Sequence, residues 1–332
     1  FVPEGAGSGS QVRTDAVAIG FLVTYVDDFL ILGSDELIDA VTNVIRAQWK
    51  IIEKPSISIG SGKSVEYLSV MITACPNGYY LDQTVYTRDL LAKWSMSECR
   101  AIGSLEEPGD VIEESEEPDE TDVRTAQRLA GGLNWLATRT RPDIAFIVSQ
   151  LSSAATKAPR RAIALGKRTL RYLAGTRKHG ILLEPRAADG GEVHRSERSG
   201  GTPVLEGFGD ASYEEGWAQT GVLIKYRGML IAWKSTKQPQ VPRSTAESEC
   251  TAMAYASQYL EGIECLFNDV KIVVGTPVLY CDNRAAVHLS AGSSEWRTKA
   301  LVNRILGVRS LIELGQLALH FKPTLDTEAD LL

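Results

Sequence analysis

The first hundred residues carry short apolar runs of the kind that form β-strands, separated by polar turns. The runs at 21–25 and 29–32 flank Asp27 and Asp28, which predicts a β-hairpin with two carboxylates at its tip. Farther along, the spacing of the apolar positions changes from strand to helix and back. We expect a helix at 37–51, paired strands at 66–73 and 79–82, and a helix at 86–94.

Helical periodicity dominates the middle of the chain. We expect helices at 123–138, 142–156 and 159–174, and Pro142 suits the first turn of the second one. The polar stretches 104–122 and 186–203 are rich in charged residues and contain Gly and Pro, so they predict linkers. The Gly- and Ser-rich start of the chain predicts a disordered segment.

The last third alternates between strands and helices. Three strands joined as hairpins, followed by helix–strand alternation, predict an α/β layer with a mixed sheet. The strands are expected at 204–210, 219–226, 229–235, 277–282 and 316–321, and the helices at 244–267 and 297–313.

Composition narrows the class of protein. A chain of 332 residues with 44% hydrophobic residues can hold two or three domains with real cores. It has no run of about 18 apolar residues, so no membrane span is expected. Its five cysteines are scattered without a CxxC motif, which argues against a disulfide framework or structural zinc and fits a reducing compartment. The start shows no signal-peptide pattern. It also lacks an initiator Met, so we expect a fragment of a longer product.

Charge is distributed unevenly around a net value of −7. Residues 106–122 hold ten acids and no base, whereas residues 144–183 hold eight Lys or Arg and no acid. Such a basic region favours salt-sensitive contact with phosphates, although a solvated helix face is the ordinary alternative. The eight bases are Lys157, Arg160, Arg161, Lys167, Arg168, Arg171, Arg177 and Lys178.

Four acids of the last third fall on different elements: Asp210 on a strand, Glu249 on a helix, Asp282 at a strand end and Asp330 near the terminus. Such a set suits two divalent metal ions held over a phosphodiester. Glu247 is about 200° from Glu249 around the helix, so only one of them can face the metals. Ser244 or Thr245 followed by Glu247 also resembles an N-terminal capping pattern.

A series of motifs occurs in a fixed order along residues 18–332. The whole set resembles copia-type LTR retrotransposon Pol polyproteins, in the C-terminal part of the reverse transcriptase and the RNase H domain. The motifs are Tyr25-Val26-Asp27-Asp28, Thr140-Arg141-Pro142-Asp143, Lys167-Arg168, Trp233-Lys234-Ser235, Ser244 to Glu249, Asp282-Asn283, Arg297-Thr298-Lys299 and Ala329-Asp330.

The resemblance implies a multidomain fold of the α/β and α+β classes. It comprises a truncated reverse-transcriptase palm and thumb, a helical connection, and an RNase H-like mixed five-stranded sheet with flanking helices. The expected divisions are a disordered segment 1–17, palm and thumb 18–103, acidic linker 104–122, connection 123–185, linker 186–203 and RNase H-like domain 204–332.

The resemblance also implies Mg²⁺-dependent endonucleolytic hydrolysis of RNA in RNA–DNA hybrids, with two ions in the site and Mn²⁺ as a substitute. The catalytic metal ligands would be Asp210, Glu249, Asp282 and Asp330, while Asp27 and Asp28 would bind metal in the polymerase part. Expected partners are the hybrid, a template-primer and the remainder of the polyprotein, without a membrane. The expected nucleic-acid contacts are Lys167, Arg168, Arg171, Lys234, Lys237, Gln238, Asn283, Arg297 and Lys299.

Several alternatives stay open. Two adjacent Asp at a turn can be ordinary turn chemistry, and Asn283 can be a helix N-cap instead of a 2′-OH partner. Because the fingers and the palm strand bearing the family's first catalytic Asp are missing, we expect no primer extension by this chain alone. A catalytically dead nucleic-acid-binding remnant is the second hypothesis, and a resolvase- or integrase-like nuclease is the third. The resemblance places the protein inside the cell, in a cytoplasmic virus-like particle or the nucleus.

Overall fold

A computed structural model describes residues 18–105, 118–185, 202–214, 217–284, 287–288 and 299–323. Within these ranges the strands form sheets of two, four and five strands. No helix in the described part of the chain is long and apolar enough to cross a membrane.

The N-terminal sheet is the predicted hairpin. Strands β1 (Gly20–Tyr25) and β2 (Asp28–Gly33) pair in antiparallel register, with Tyr25 opposite Asp28. The turn between them requires the left-handed conformation at Val26, where φ is 55°. Helix α1 (Asp35–Gln48) follows, and the Ser34 hydroxyl caps it by accepting a hydrogen bond from the Leu37 backbone N–H.

The four-stranded sheet is antiparallel and contains β3 (Ser64–Tyr67), β4 (Val70–Ala74), β5 (Tyr79–Asp82) and β6 (Gly180–Leu183) in that order. The prediction of one strand over 66–73 is wrong. The chain reverses at Leu68 and Ser69, whose φ values of 51° and 61° form a two-residue turn without glycine.

The helical region contains α2 (Thr84–Lys93), α3 (Glu120–Ala137), α4 (Ala145–Ala154) and α5 (Pro159–Gly175), with a 3₁₀ turn at Pro142–Ile144 before α4. The helices predicted at 86–94, 123–138, 142–156 and 159–174 are confirmed to within a few residues. Leucines from all four helices share one buried core. Residues before and after the predicted linker 104–122 therefore belong to one sheet, in which β5 pairs with β6. They also belong to one hydrophobic core.

The five-stranded sheet confirms the mixed topology expected for the last third. Its order is β11-β10-β7-β8-β9, in which β7, β8 and β9 are antiparallel neighbours and β10 runs parallel to both β7 and β11. The elements are β7 (Leu205–Glu214), β8 (Trp217–Tyr226), β9 (Met229–Lys237), α6 (Thr245–Asp269), β10 (Val278–Cys281), α7 (Lys299–Glu313) and β11 (Ala318–Phe321).

Helices cover both faces of this sheet. On one face α6 lies so close to β7 that a Cβ atom at Gly209 would sit 3.0 Å from the carbonyl oxygen of Ala252. Side chains alternate between the faces of a strand, so Phe208 points to the other side, where it packs with Tyr280 and with Ala145 of α4. The helical region and α6 thus enclose the sheet between them.

Candidate active site

Two of the predicted acids lie at the same level of neighbouring strands. The parallel register of β7 and β10 places Tyr280 beside Phe208, and two residues farther along the two strands come Asp282 and Asp210. Both aspartates are half-buried. The rings of Phe208 and Tyr280 stack directly before them, with centroids 5.0 Å apart, and form an apolar floor on that face.

Helix α6 brings a third acid to this edge. Glu249 is 5% exposed, and its carboxylate forms a group with the Asp282 carboxylate and the Cys281 thiol in which the ligand atoms lie within 4.8 Å of one another. Asp210 is outside this group among the described residues. The structure therefore brings Glu249 and Asp282 together directly, with Asp210 on the adjacent strand.

Glu247 has a different role. Its backbone N–H donates to the Ser244 hydroxyl at 3.3 Å, and its carboxylate accepts from the Arg243 backbone N–H at 2.8 Å. The first bond makes Ser244 the N-cap of α6, and the second holds the Glu247 carboxylate against the residue before that cap. The structure thus separates the two glutamates: Glu247 is engaged at the start of α6, and Glu249 reaches the acid cluster.

Two buried cysteines adjoin the acids: Cys281 belongs to the group, and Cys250 follows Glu249 in α6. Neither cysteine was predicted to belong to the site. Burial, together with the nearby Glu249 and Glu247, raises the pKa of the Cys250 thiol to about 11. Burial is also the main reason why the pKa of Cys281 is raised, although the Asn283 backbone N–H donates to its sulfur. A thiol binds metal as the thiolate, whereas the carboxylate oxygens of the cluster are the ligands that a hard divalent cation prefers.

The donor set fits a hard divalent cation. Magnesium takes oxygen ligands and is usually held by one or two carboxylates together with water and substrate phosphates. Glu249 and Asp282 supply such a pair from two different elements, and Asp210 can add a third carboxylate. Asp330 and Arg297 lie outside the described residues, and Lys299 is described only by its backbone, as the first residue of α7.

Lys234 and Lys237 are exposed on β9, the edge strand nearest the helical region. They border a cavity of about 400 Å³ between β9 and helices α3 and α4. Hydroxyl and amide groups form much of the remaining lining, including Asn134, Ser149 and Ser152. Both lysines are exposed, and their contact with nucleic acid stays a prediction.

The prediction that the Gln238 side chain contacts nucleic acid needs correction. It is only 5% exposed, and its side-chain amide donates to the Thr220 hydroxyl at 2.9 Å and to the Ser248 carbonyl at 3.0 Å. Both amide hydrogens are used inside the protein, so the predicted contact between Gln238 and a hybrid is not supported.

The basic helix α5 divides into accessible and structural residues. Lys167 is exposed. Arg171, in contrast, donates to the Arg100 carbonyl at 2.9 Å, and Arg168 donates to the Ser104 carbonyl at 3.5 Å. Arg177 makes a similar bond to Ser97 at 3.1 Å. These arginines connect the segment after α2 to α5 and to the residues that directly follow α5. Their spacing in the sequence did not indicate this role.

The remaining predicted residues lie apart from the cluster or have structural contacts. Asp27 and Asp28 are exposed at the turn of the hairpin, which forms a sheet separate from the five-stranded one. The Asn283 carbonyl accepts a hydrogen bond from the Val287 backbone N–H at 3.1 Å. That bond is the one expected from a residue at the start of a helical turn, in agreement with the N-cap alternative.

Comparison with known proteins gives the family. No protein-family model matches the chain. The retrovirus-related Pol polyprotein from transposon RE2 of Arabidopsis thaliana is 30% identical over 325 residues, and that from transposon RE1 of the same plant is 29% identical over 322 residues. Both alignments cover 95% of this chain, and they cover 21% and 20% of the respective polyproteins.

Among solved structures, a foamy viral protease-reverse transcriptase in complex with double-stranded DNA superposes over 91% of this chain and 46% of its own, with 14% identity and a TM-score of 0.49. The chain spans about a fifth of the length of the plant relatives. Over nearly all of its residues it belongs to the retrovirus-related Pol polyproteins of copia-type transposons.

Proposed function

We propose that the five-stranded sheet and its helices, residues 204–332, form a ribonuclease H that hydrolyses the RNA strand of RNA–DNA hybrids in the presence of Mg²⁺. The observation that carries the proposal is the convergence of Glu249 from α6 and Asp282 from β10, with Asp210 on the strand between β10 and β8. Mn²⁺ is expected to substitute for Mg²⁺, because it also favours oxygen ligands.

The role of each acid follows from its position. Glu249 and Asp282 would hold metal from two sides, and Asp210 would complete the set of ligands from β7. When bound, divalent ions supply the positive charge that activates water and stabilises the leaving oxygen of a phosphodiester. The Cys281 thiol and the stacked rings of Phe208 and Tyr280 are buried next to the acids.

The hybrid would approach from the exposed side of the cluster. Lys234, Lys237 and Lys167 provide accessible positive charge for phosphates, which gives salt-sensitive binding independent of sequence. Recognition of the hybrid would depend on its shape and its 2′-hydroxyl groups. In the polymerase part, the exposed Asp27 and Asp28 would bind metal, and a template-primer is the expected partner of that part.

The test uses the full chain, a labelled RNA–DNA hybrid and Mg²⁺. Wild type should cleave the RNA strand, and Asp210→Asn and Glu249→Gln should each lower the rate by at least about 100-fold, because each removes a ligand charge. Glu247→Gln is the matched control on the same helix. Its side-chain oxygen can still accept from the Arg243 backbone, so activity should be retained.

The competing functions give different results. Binding of the hybrid without cleavage, in wild type and variants alike, would support a catalytically dead remnant. Cleavage of duplex DNA in place of the hybrid would support a resolvase- or integrase-like nuclease. Loss of activity in Glu247→Gln but not in Glu249→Gln would contradict the assignment of the two glutamates.

A further inference from the structure

We infer that Gln238 is a positioning residue, which holds the start of α6 against β8 and thereby fixes Glu249 relative to the strand that carries Asp210. The inference rests on the function proposed above. Gln238 directly follows β9, and its backbone N–H donates to the Ala218 carbonyl at 2.8 Å, which extends the pairing of β9 with β8 by one residue.

The side chain connects two points next to the acids. One amide hydrogen goes to the Thr220 hydroxyl at 2.9 Å and the other to the Ser248 carbonyl at 3.0 Å. Ser248 immediately precedes Glu249. Thr220 lies opposite Ala211, the residue after Asp210, in the pairing of β7 with β8.

A glutamine side chain is well suited to hold Glu249 in position. A neutral amide can donate two hydrogen bonds without competing for cations as another carboxylate would. Gln238, Thr220 and Ser248 are all buried, so both bonds are shielded from water and loss of either leaves a buried polar group unsatisfied. Because magnesium demands near-ideal octahedral geometry, a small displacement of the first turn of α6 should weaken metal binding through Glu249.

Two other features that position α6 act at different points from the Gln238 side chain. The Ser244 hydroxyl and the Glu247 carboxylate act within the first turn of α6 and the two residues before it. The close contact at Gly209 sets the distance of α6 from β7 one turn farther along, at Ala252. Among these contacts, the Gln238 amide joins the residue before Glu249 to the central strands.

The same sheet offers a matched control. Gln219 is 2% exposed, and its side-chain amide donates to the Ser235 hydroxyl at 2.9 Å, which is a bond between β8 and β9 within the sheet. Gln219→Met and Gln238→Met each replace a buried glutamine by a side chain of similar shape without donors. A general loss of sheet stability should therefore be similar in the two variants.

The experiment measures metal binding apart from activity. The melting temperatures of full-chain wild type, Gln238→Met and Gln219→Met are recorded over a titration with MgCl₂ or MnCl₂, and the metal-dependent rise gives an apparent Kd. Gln238→Met should raise this Kd about tenfold, as expected when a residue that orients a ligand is lost. Gln219→Met should stay within about twofold of wild type. Excess metal should restore part of the hybrid cleavage by Gln238→Met.

The outcomes distinguish a failure of the proposed ribonuclease H function from a failure of the positioning role of Gln238. If wild type shows neither metal-dependent stabilisation nor cleavage, the proposed function fails and the inference fails with it. If wild type shows both and Gln238→Met matches Gln219→Met, the inference alone is overturned. If Gln238→Met does not fold, Thr220→Val removes one partner while keeping its shape, and an unchanged Kd in that variant overturns the inference.

Discussion

The indole N–H of Trp233 donates a hydrogen bond of 2.6 Å to the carbonyl oxygen of Ala137. Ala137 is the last residue of α3, and the last carbonyls of a helix have no partner within it. Trp233 lies on the edge strand β9. This bond gives a carbonyl at the end of α3 a hydrogen-bond partner and attaches the helical region to the five-stranded sheet. The apolar contact of α4 with Phe208 and Tyr280 is a second attachment.

Trp233→Phe should weaken this attachment. The substitution keeps an aromatic ring but removes the donor, so we expect a loss of about 1 kcal/mol in the free energy of unfolding. Calorimetry should show the helical region and the sheet unfolding less cooperatively than in wild type. The control is Trp49→Phe, because Trp49 is 62% exposed and its replacement should change stability by less than about 0.5 kcal/mol. Equal effects of the two substitutions would show that the bond does not couple the units.

Arg141→Met should be among the most destabilising substitutions in the helical region. The Arg141 side chain is 2% exposed and donates to both carboxylate oxygens of Asp143, at 2.9 and 2.7 Å. It also donates to the carbonyl and the hydroxyl of Thr176 at the end of α5. Arg141 is buried, but the Asp143 side chain that would remain is 32% exposed, so we expect a loss of about 2 kcal/mol in the free energy of unfolding, which urea unfolding would measure.

An exposed ion pair is the control for that prediction. Arg124 pairs with Glu120, and the two side chains are 71% and 78% exposed. Arg124→Met should cost about 0.5 kcal/mol or less. If Arg141→Met were equally mild, the network around Asp143 would not stabilise the junction of α3 and α5.

Local patterns in the sequence predicted most elements of the fold. The hairpin around Asp27, the helices of the middle region and the order of strands and helices in the last third all follow from apolar spacing and from turn residues. These signals lie within one element or between neighbours in sequence. They were sufficient for the mixed topology of the five-stranded sheet.

Two features of the four-stranded sheet escaped prediction for different reasons. The turn at Leu68 and Ser69 uses positive φ in residues that carry no turn signal, so the pattern looked like one continuous strand. Strand β6 (Gly180–Leu183) pairs with β5 (Tyr79–Asp82), about a hundred residues earlier in the chain. A four-residue strand whose partner is that distant has no local signature.

The candidate site shows the same limit at the level of side chains. Alternation along β10 indicates that Cys281 and Asp282 face opposite sides, but it cannot show that Glu249 reaches both. Likewise, the resemblance placed Gln238, which follows Lys237, among the nucleic-acid contacts. Only the fold shows that the Gln238 amide points inward to Thr220 and Ser248.

Gly209→Ala should disturb the site through α6. A methyl group there would meet the Ala252 carbonyl oxygen at 3.0 Å and the Ala256 Cβ at 3.1 Å, so the helix must move by a few tenths of an ångström. We expect a loss of about 1–3 kcal/mol in the free energy of unfolding. Metal-dependent stabilisation should also weaken, because Glu249 lies one turn before Ala252 on the displaced helix.

Gly262→Ala on the same helix is the control. A Cβ atom at Gly262 would meet no other atom within 4 Å. Alanine is the better residue in a helix interior, so stability should rise by about 0.5–1 kcal/mol. If Gly209→Ala changed neither stability nor metal binding, the close contact of α6 with β7 would not set the position of Glu249.

Tyr172 should make the stability of the helical region sensitive to alkaline pH. Its hydroxyl donates to the Asp143 carboxylate at 2.9 Å, and burial, followed by the charge of Asp143, raises its pKa. A tyrosine in the unfolded chain ionises near pH 10. The folded state keeps the proton to higher pH, so the stabilising contribution is complete below about pH 10 and is lost as the pH rises through the pKa of the folded state.

Urea unfolding at a series of pH values from 8 to 11 measures this dependence. Tyr172→Phe should be less stable than wild type at pH 8, because it lacks the hydrogen bond to Asp143. Above about pH 10 the difference should shrink, since wild type loses a contribution that the variant never had. Absorbance at 295 nm should show one late-ionising tyrosine fewer in the native variant. Parallel pH profiles for the two proteins would mean that Asp143 does not hold the Tyr172 proton in the folded state.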